Sequence, residues 1–244
     1  MDLAGRVCAV TGGSAGIGRA LAVALGERGA SVALLARSRD RLDQTRSLVE
    51  AGGGRARTYP TDLRDPAAVV AAAEAVLADW GRVDLIANVA GVWHDDDRVY
   101  HGPLLYQTSV REVSEVLDVG IRAPMVLTGA LLPSMARRRA GHVLNISGSF
   151  DDGAKGWLHY YVSKKALEAF TVGLAQEVRD VEVQVNCISP ADVATEPYKR
   201  LYPGQAARAL RPEEVAEVAL VLVGDAGRHL TGQIIEVRNR ADHA

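Results

Sequence analysis

Short apolar runs recur along the chain, and between them lie longer stretches whose apolar residues return at helical spacing. The runs at 7–11, 31–36, 55–60, 83–88, 142–147, 182–188 and 233–237 predict strands, and the stretches at 17–28, 38–51, 66–79, 111–137, 159–179 and 213–223 predict helices. Ser31-Val32-Ala33-Leu34-Leu35-Ala36 is apolar at nearly every position rather than at every second one. That is the pattern of a parallel strand covered on both faces. Sustained alternation of strand and helix predicts an α/β fold, a doubly wound parallel sheet flanked by helices. No Pro/Gly/Ser linker and no fixed-period repeat interrupts it, so residues 1–244 read as a single domain. Segments 91–108 and 195–212 fit no element. Both follow predicted strands at the carboxyl end, where open α/β sheets bind ligands.

Composition narrows the class. The chain is 48% hydrophobic, enough for a sizeable core, and its net charge of −2 points to neither nucleic acid nor an anionic membrane as partner. A strand beginning at Val7 leaves no room for a signal peptide, and no apolar stretch approaches the ~18 residues of a membrane span. The expected setting is cytoplasmic. Cys8 and Cys187 both lie in strand-like runs and read as buried reduced thiols. Asp95-Asp96-Asp97 beside His94 lacks metal-ligand spacing and reads as a solvated loop, so no metal is expected.

The chemistry starts at Thr11-Gly12-Gly13-Ser14-Ala15-Gly16-Ile17-Gly18, directly after the first apolar run and before the helical stretch Ala20–Leu25. A helix N-terminus offers free N–H groups and a favourable dipole to a phosphate, and small residues let the backbone come close. The spacing G-x-x-x-G-x-G differs from the commoner dinucleotide fingerprint G-x-G-x-x-G. At the end of the second strand a carboxylate would select a free ribose 2′-hydroxyl, whereas an arginine favours a 2′-phosphate. The sequence there is Ala36-Arg37-Ser38-Arg39, with no acid until Asp40. Arg37 therefore reads as a 2′-phosphate ligand and the cofactor as NADP(H).

Further along, Tyr160-Tyr161-Val162-Ser163-Lys164-Lys165 places a phenol and an ammonium one helical turn apart. A nearby cation lowers a phenol's pKa, which suits it to proton transfer. Spacing alone allows two pairs, Tyr160 with Lys164 and Tyr161 with Lys165.

At these residues the chain resembles the short-chain dehydrogenase/reductase family, and the resemblance runs nearly end to end. Thr11–Gly18 matches its T-G-x-x-x-G-x-G motif, and Asp62-Leu63 is similar to its adenine-contacting pair. Asn88-Val89-Ala90-Gly91 is similar to N-N-A-G, Tyr160–Ala166 matches Y-x-x-S-K-x-A, and Pro190–Thr195 resembles P-G-x-V-x-T. The resemblance implies a Rossmann-like fold with a seven-stranded sheet. It selects Tyr160 and Lys164 as the catalytic pair. It implies cofactor contacts from Gly12, Ser14, Ala15, Gly16, Ile17, Gly18, Arg37, Ser38, Asp62, Leu63, Asn88, Ala90, Gly91, Tyr160, Lys164, Pro190, Val193 and Thr195. It also implies a homodimer or homotetramer joined through helices 111–137 and 159–179, with Val116, Leu131, Leu167, Phe170 and Leu174 among their apolar residues.

Three positions depart from the family pattern. Gly120 stands where the active-site asparagine is expected, Gly148 where the second serine of N-h-S-S is expected, and Ala191 where a glycine is expected. Ser147 and Ser149 are then the two candidates for the carbonyl-polarising serine, with Ser149 favoured because it lies beyond the strand end. The leading expectation is NADPH-dependent reduction of a small carbonyl substrate. The alternatives are the reverse oxidation, and an NADP(H)-binding protein that has lost turnover. Trp93, His94, Tyr100, Phe150, Trp157, Tyr161 and Tyr198 are candidates to line a pocket for a cyclic or aromatic ketone, or else they are core and rim packing.

Overall fold

The computed structural model describes residues 2–95, 98–150 and 153–239. Its strands are β1 (Val7–Thr11), β2 (Ser31–Ala36), β3 (Arg55–Pro60), β4 (Leu85–Asn88), β5 (Gly141–Ile146), β6 (Val183–Pro190) and β7 (Ile234–Val237). Among the described residues these form one seven-stranded sheet in the order β3-β2-β1-β4-β5-β6-β7, and every pairing is parallel. The helices are α1 (Gly16–Gly26), α2 (Arg39–Ala51), α3 (Pro66–Trp80), α4 (Val110–Leu117), α5 (Ala123–Arg138), α6 (Leu158–Glu177), α7 (Glu196–Leu201) and α8 (Pro212–Val223).

Successive strand residues point to opposite faces, so one strand feeds two cores. Val10 and Leu34 pack with Leu21, Leu25, Leu42 and Val215, on the face of α1, α2 and α8. Their neighbours Ala9 and Leu35 pack with Val69, Val76, Leu127, Leu131 and Leu174, on the face of α3, α5 and α6. The strand order reverses between β1 and β4. Ligands of open α/β sheets bind at the crevice this reversal creates.

Four expectations change. The stretch 111–137 is not one regular helix, because a π turn at Asp118–Arg122 separates α4 from α5. Segment 195–212 is not bare loop: Thr195 caps the short helix α7, its hydroxyl accepting from the Tyr198 N–H. Val110–Arg138, counted through the π turn, is long and apolar enough to cross a bilayer by length and composition, contrary to the expectation that no such stretch exists. Its apolar side faces the fold: Val116, Leu127 and Leu131 are fully buried. The same packing removes most of the residues expected at a subunit interface. Val116, Leu131, Leu167 and Leu174 are core residues, and Phe170 packs partly buried against that core. Cys8 and Cys187 are free and buried. Of the acidic run 95–97, Asp96 and Asp97 lie outside the described residues.

Asp84 fastens the amino ends of three strands. Its carboxylate accepts from Val7 N at 2.9 Å, its own N–H donates to Val7 O, and its carbonyl accepts from His142 N. Arg82, Arg138 and Arg6 surround it. Burial pushes this carboxyl up, but Arg82, the Val7 N–H and Arg138 outweigh burial and hold it below the ordinary range. A depressed folded pKa stabilises the protein above the unfolded value, and that contribution is lost as pH falls through the folded one. Asp84→Asn is expected to cost about 2–4 kcal/mol near neutral pH. In thermal melts, the parent should lose more Tm than Asp84→Asn below pH ~4.

Candidate active site

The carboxyl ends of β1 and β4 are tied together by one side chain. Thr11 Oγ1 accepts from the N–H groups of Val89 (2.9 Å) and Ala90 (3.2 Å). The turn that follows β1 depends on this approach. Gly12 has φ +66°, and a Cβ there would lie 3.1 Å from Ala90 Cα. A Cβ on Gly18 would lie 2.3 Å from Gly12 O, so only glycine lets the first turn of α1 sit on the loop. No side chain caps α1 at Ala15, and its first turn carries no acid. Arg19 braces the loop from below, donating to Ser14 O at 2.6 Å. An uncapped helix N-terminus behind a turn of glycines and small residues fits a phosphate pair.

A cavity of about 1220 Å³ extends from this cradle in both directions. Ligand pockets run to ~1,000 Å³, so a dinucleotide and a second molecule can share it. At one end stand Arg37, Ser38 and Arg41. Arg37 is exposed and has no ion-pair partner among the described residues. Ser38 also caps α2, its hydroxyl accepting from Arg41 N. Asp62 and Leu63 line the next wall. Both oxygens of Asp62 are held by Arg64, which also reaches Glu115 at 3.1 Å. Hydrogen bonds from Arg64, foremost, keep the Asp62 carboxyl below its ordinary value. Sequence reasoning missed Arg64, Arg41 and Glu115; the Arg64–Glu115 contact joins residues 51 positions apart, which no local pattern announces.

Of the residues expected to contact the cofactor, the cavity is lined by all but one. Asn88 is the exception. Its side-chain amide donates to Asn145 Oδ1 (2.9 Å) and Thr128 Oγ1 (3.2 Å), and Asn145 in turn donates to Thr171 at 2.8 Å. Asn88 is thus a buried strut joining β4, β5, α5 and α6. The residues that reach the cleft, Val89, Ala90 and Gly91, lie beyond the strand end.

At the other end Tyr160 and Lys164 project from α6 beneath Gly91. A Cβ on Gly91 would lie 3.2 Å from Lys164 Nζ and 3.9 Å from Tyr160 Oη, so the glycine keeps both open to the cleft. Lys164 is buried and donates to Ile146 O at 2.9 Å. Burial pushes its ammonium down to about 8, against the raising influence of Cys187 and Glu168. Tyr160 departs from expectation. Its phenol is pushed up, by burial first and then by the Asp192 carboxylate. The reason is geometric: Lys164 Nζ stands 5.4 Å from the ring centroid and gives its hydrogen bond to a backbone carbonyl. Tyr160 is therefore a protonated phenol. The other pair is elsewhere: Tyr161 packs on Phe150 at 5.1 Å, and exposed Lys165 bonds Glu168.

The two serines separate in the same way. Ser147 Oγ donates to Glu168 Oε1 at 2.9 Å. Ser149 is fixed through its backbone, its N–H on Pro190 O at 2.9 Å, and its hydroxyl has no partner among the described residues. Gly148 faces open space, since a Cβ there would find only Phe150 at 4.0 Å. Gly120 is the reverse case. It lies in the π turn, and a Cβ would sit 2.9 Å from both Cβ and Oγ of Ser163, leaving no room for an asparagine.

Over this end close two loops and α7. Gly102 N donates to Gly156 O, and His101 stacks on Trp157 with centroids 4.7 Å apart. Tyr198 donates to Asp192 at 2.6 Å and, with Tyr202, lies 6.4 Å from Trp93. Trp93, His94, Tyr100, Phe150, Trp157 and Tyr198 line the cavity as expected; Tyr161 does not, and His101 and Tyr202 join them.

The family model for short-chain dehydrogenases matches residues 6–206. A 3-oxoacyl-(acyl-carrier-protein) reductase FabG of Thermotoga maritima is 28% identical over 97% of this chain and 98% of its own. A short chain dehydrogenase from Burkholderia cenocepacia, solved in complex with NADP, superposes with TM-score 0.88 at 27% identity, covering 99% of this chain and 100% of that one. A metagenomic short-chain oxidoreductase, also in complex with NADP, gives 0.82 at 30% identity over 96% and 97%. The glycine turn, the Tyr160–Lys164 pair and these likenesses converge: the chain belongs to the short-chain dehydrogenase family and is an oxidoreductase.

Proposed function

We propose that this chain reduces the ketone of a small cyclic or aromatic substrate, using NADPH. One observation carries the reading: a protonated, half-buried Tyr160 phenol beside Lys164, open to the cleft under Gly91. A bound nicotinamide dinucleotide supplies the hydride. The α1 N-terminus, Arg37, Ser38, Thr195 and Lys164 would hold it. Tyr160 gives its proton to the carbonyl oxygen as negative charge develops there. Ser149, whose hydroxyl has no partner among the described residues, donates a hydrogen bond to the same oxygen. Lys164 stands ready to return charge balance beside the phenolate that remains. The aromatic wall of Trp93, Phe150, Trp157 and Tyr198 favours a flat apolar body and keeps water from the reacting carbon. The likeness to a 3-oxoacyl-(acyl-carrier-protein) reductase supports a ketone as the reacting group, and NADP in two neighbours supports the cofactor.

NADPH should bind more tightly than NADH, and Arg37→Ala should erase most of the difference. A charge-assisted contact contributes about 1.5–3 kcal/mol, or roughly 10- to 150-fold. Fluorescence titration of both cofactors checks this, and equal dissociation constants in the parent would refute it.

Tyr160→Phe should abolish NADPH oxidation against a panel of cyclic ketones and quinones while leaving NADPH affinity nearly unchanged. Ser149→Ala should slow the reaction by about 10²–10³, the usual loss for one positioned donor, and Ser147→Ala much less. NADPH binding without turnover on any carbonyl would instead favour a binding protein, the reading to which the open space at Gly148 points.

Self-association would use the outer helix faces rather than the residues now seen in the core. Val110, Met125, Val162 and Val172 are exposed there. Light scattering should give a dimer or tetramer with two-fold symmetry, and Val162→Glu with Met125→Glu should shift it to monomer. A monomeric parent would count against this.

A further inference from the structure

Lys164 is a buried cation without a carboxylate in ion-pair contact among the described residues. Its seat is the Ile146 carbonyl. The far side of that same peptide bond belongs to Ser147, which is pinned twice. Its N–H donates to Ile188 O at 2.8 Å, and its hydroxyl donates to Glu168 Oε1 at 2.9 Å. Glu168 lies one turn beyond Lys164 on α6. Ser189 approaches the same oxygen at 3.5 Å, and Lys165 Nζ holds the other at 2.8 Å. The Glu168 side chain is only 14% exposed. A carboxylate is thus fixed behind the peptide whose carbonyl accepts from the lysine, in a region where charges are poorly screened.

The front of the lysine offers no substitute. Gly120, at the position where the family's asparagine is expected, has no room for a side chain beside Ser163. Resting on the reading of Lys164 as the cofactor-side ammonium, we propose that Glu168 is its positioning residue. It holds the ammonium charged, and through Ser147 it holds the Ile146 carbonyl that seats it. A purely mechanical clamp between α6, β5 and β6 would use the same hydrogen bonds but would not set the lysine's protonation.

The groups facing Lys164 bear out which charge matters. Tyr160 on α6 is neutral, and the Cys187 thiol on β6 is pushed up by burial. Asp192, beyond β6, acts on Tyr160. Lys165 opposes Glu168 from the solvent side. Burial lowers the Lys164 ammonium to about 8, and Glu168 works against that fall.

The test reads the lysine directly. The chain has only four lysines, Lys155, Lys164, Lys165 and Lys199. Their 13Cε signals can be followed by NMR in protein carrying 13C-labelled lysine, with Lys164 assigned by Lys164→Arg. In Glu168→Gln, whose amide carbonyl still accepts from Ser147, the Lys164 midpoint should fall by ~0.5 pH unit or more, as loss of a partly screened charge requires. Glu168→Asp should restore most of it. Lys165→Met, at an exposed position, should raise the midpoint and serves where Glu168→Gln fails to fold. An unmoved midpoint in folded Glu168→Gln, or in Lys165→Met if the former does not fold, overturns the proposal. A shifted midpoint in a protein that oxidises no NADPH leaves Glu168's role standing and removes the reading of function instead.

Discussion

The molecule turns on the close approach of two strand ends. β1 and β4 are neighbours in the sheet although two strand–helix units separate them in sequence, and beyond their last residues the chains lead in opposite directions. Thr11 draws the backbone of Val89 and Ala90 inward, and Gly12 lets it come within 3.1 Å of a would-be side chain. Everything functional lies along that seam. The uncapped start of α1 opens onto one side of it, and Gly91 exposes Tyr160 and Lys164 on the other. A side chain at any of these glycines would fill space that a ligand or a neighbouring backbone needs.

Buried polarity behind the seam does two separate jobs. The Asn88–Asn145–Thr171 ladder and the Asp84 cluster fasten strands to one another and to the helices, the first near the cleft and the second at the opposite end of the sheet. The Glu168–Ser147 contact lies just under the reacting groups, so it also bears on their charge. This division explains why the two serines flanking Gly148 differ. Ser147 follows the last residue of β5, with its side chain turned toward Glu168 and β6. Ser149, two residues on, is anchored among the described residues only by its backbone, which leaves its hydroxyl available.

Much of this was legible in the chain itself. Apolar runs with period-free burial specify a parallel sheet, because a strand covered on both faces has no polar side to show. The glycine turn specifies a phosphate cradle, because close backbone approach has few chemical solutions. The i,i+4 spacing specifies that tyrosine and lysine share a helix face, though Tyr160/Lys164 and Tyr161/Lys165 satisfied it equally. Those conclusions depend on neighbours within a few residues.

What only the tertiary structure decided depends on partners far apart in sequence. Asn88 faces a strand and two helices rather than the cleft, because its side chain falls on the inward side of β4. The apolar residues of helices 111–137 and 159–179 are mostly core, because each helix has one face on the sheet and spacing alone does not say which. Gly120 is explained by Ser163, a contact between a π turn and a helix 43 positions later. The state of Tyr160 is decided in the same way. Sequence placed a cation one turn away, but the direction of the Lys164 side chain and the depth of burial determine whether that cation is felt, and both are properties of the folded chain.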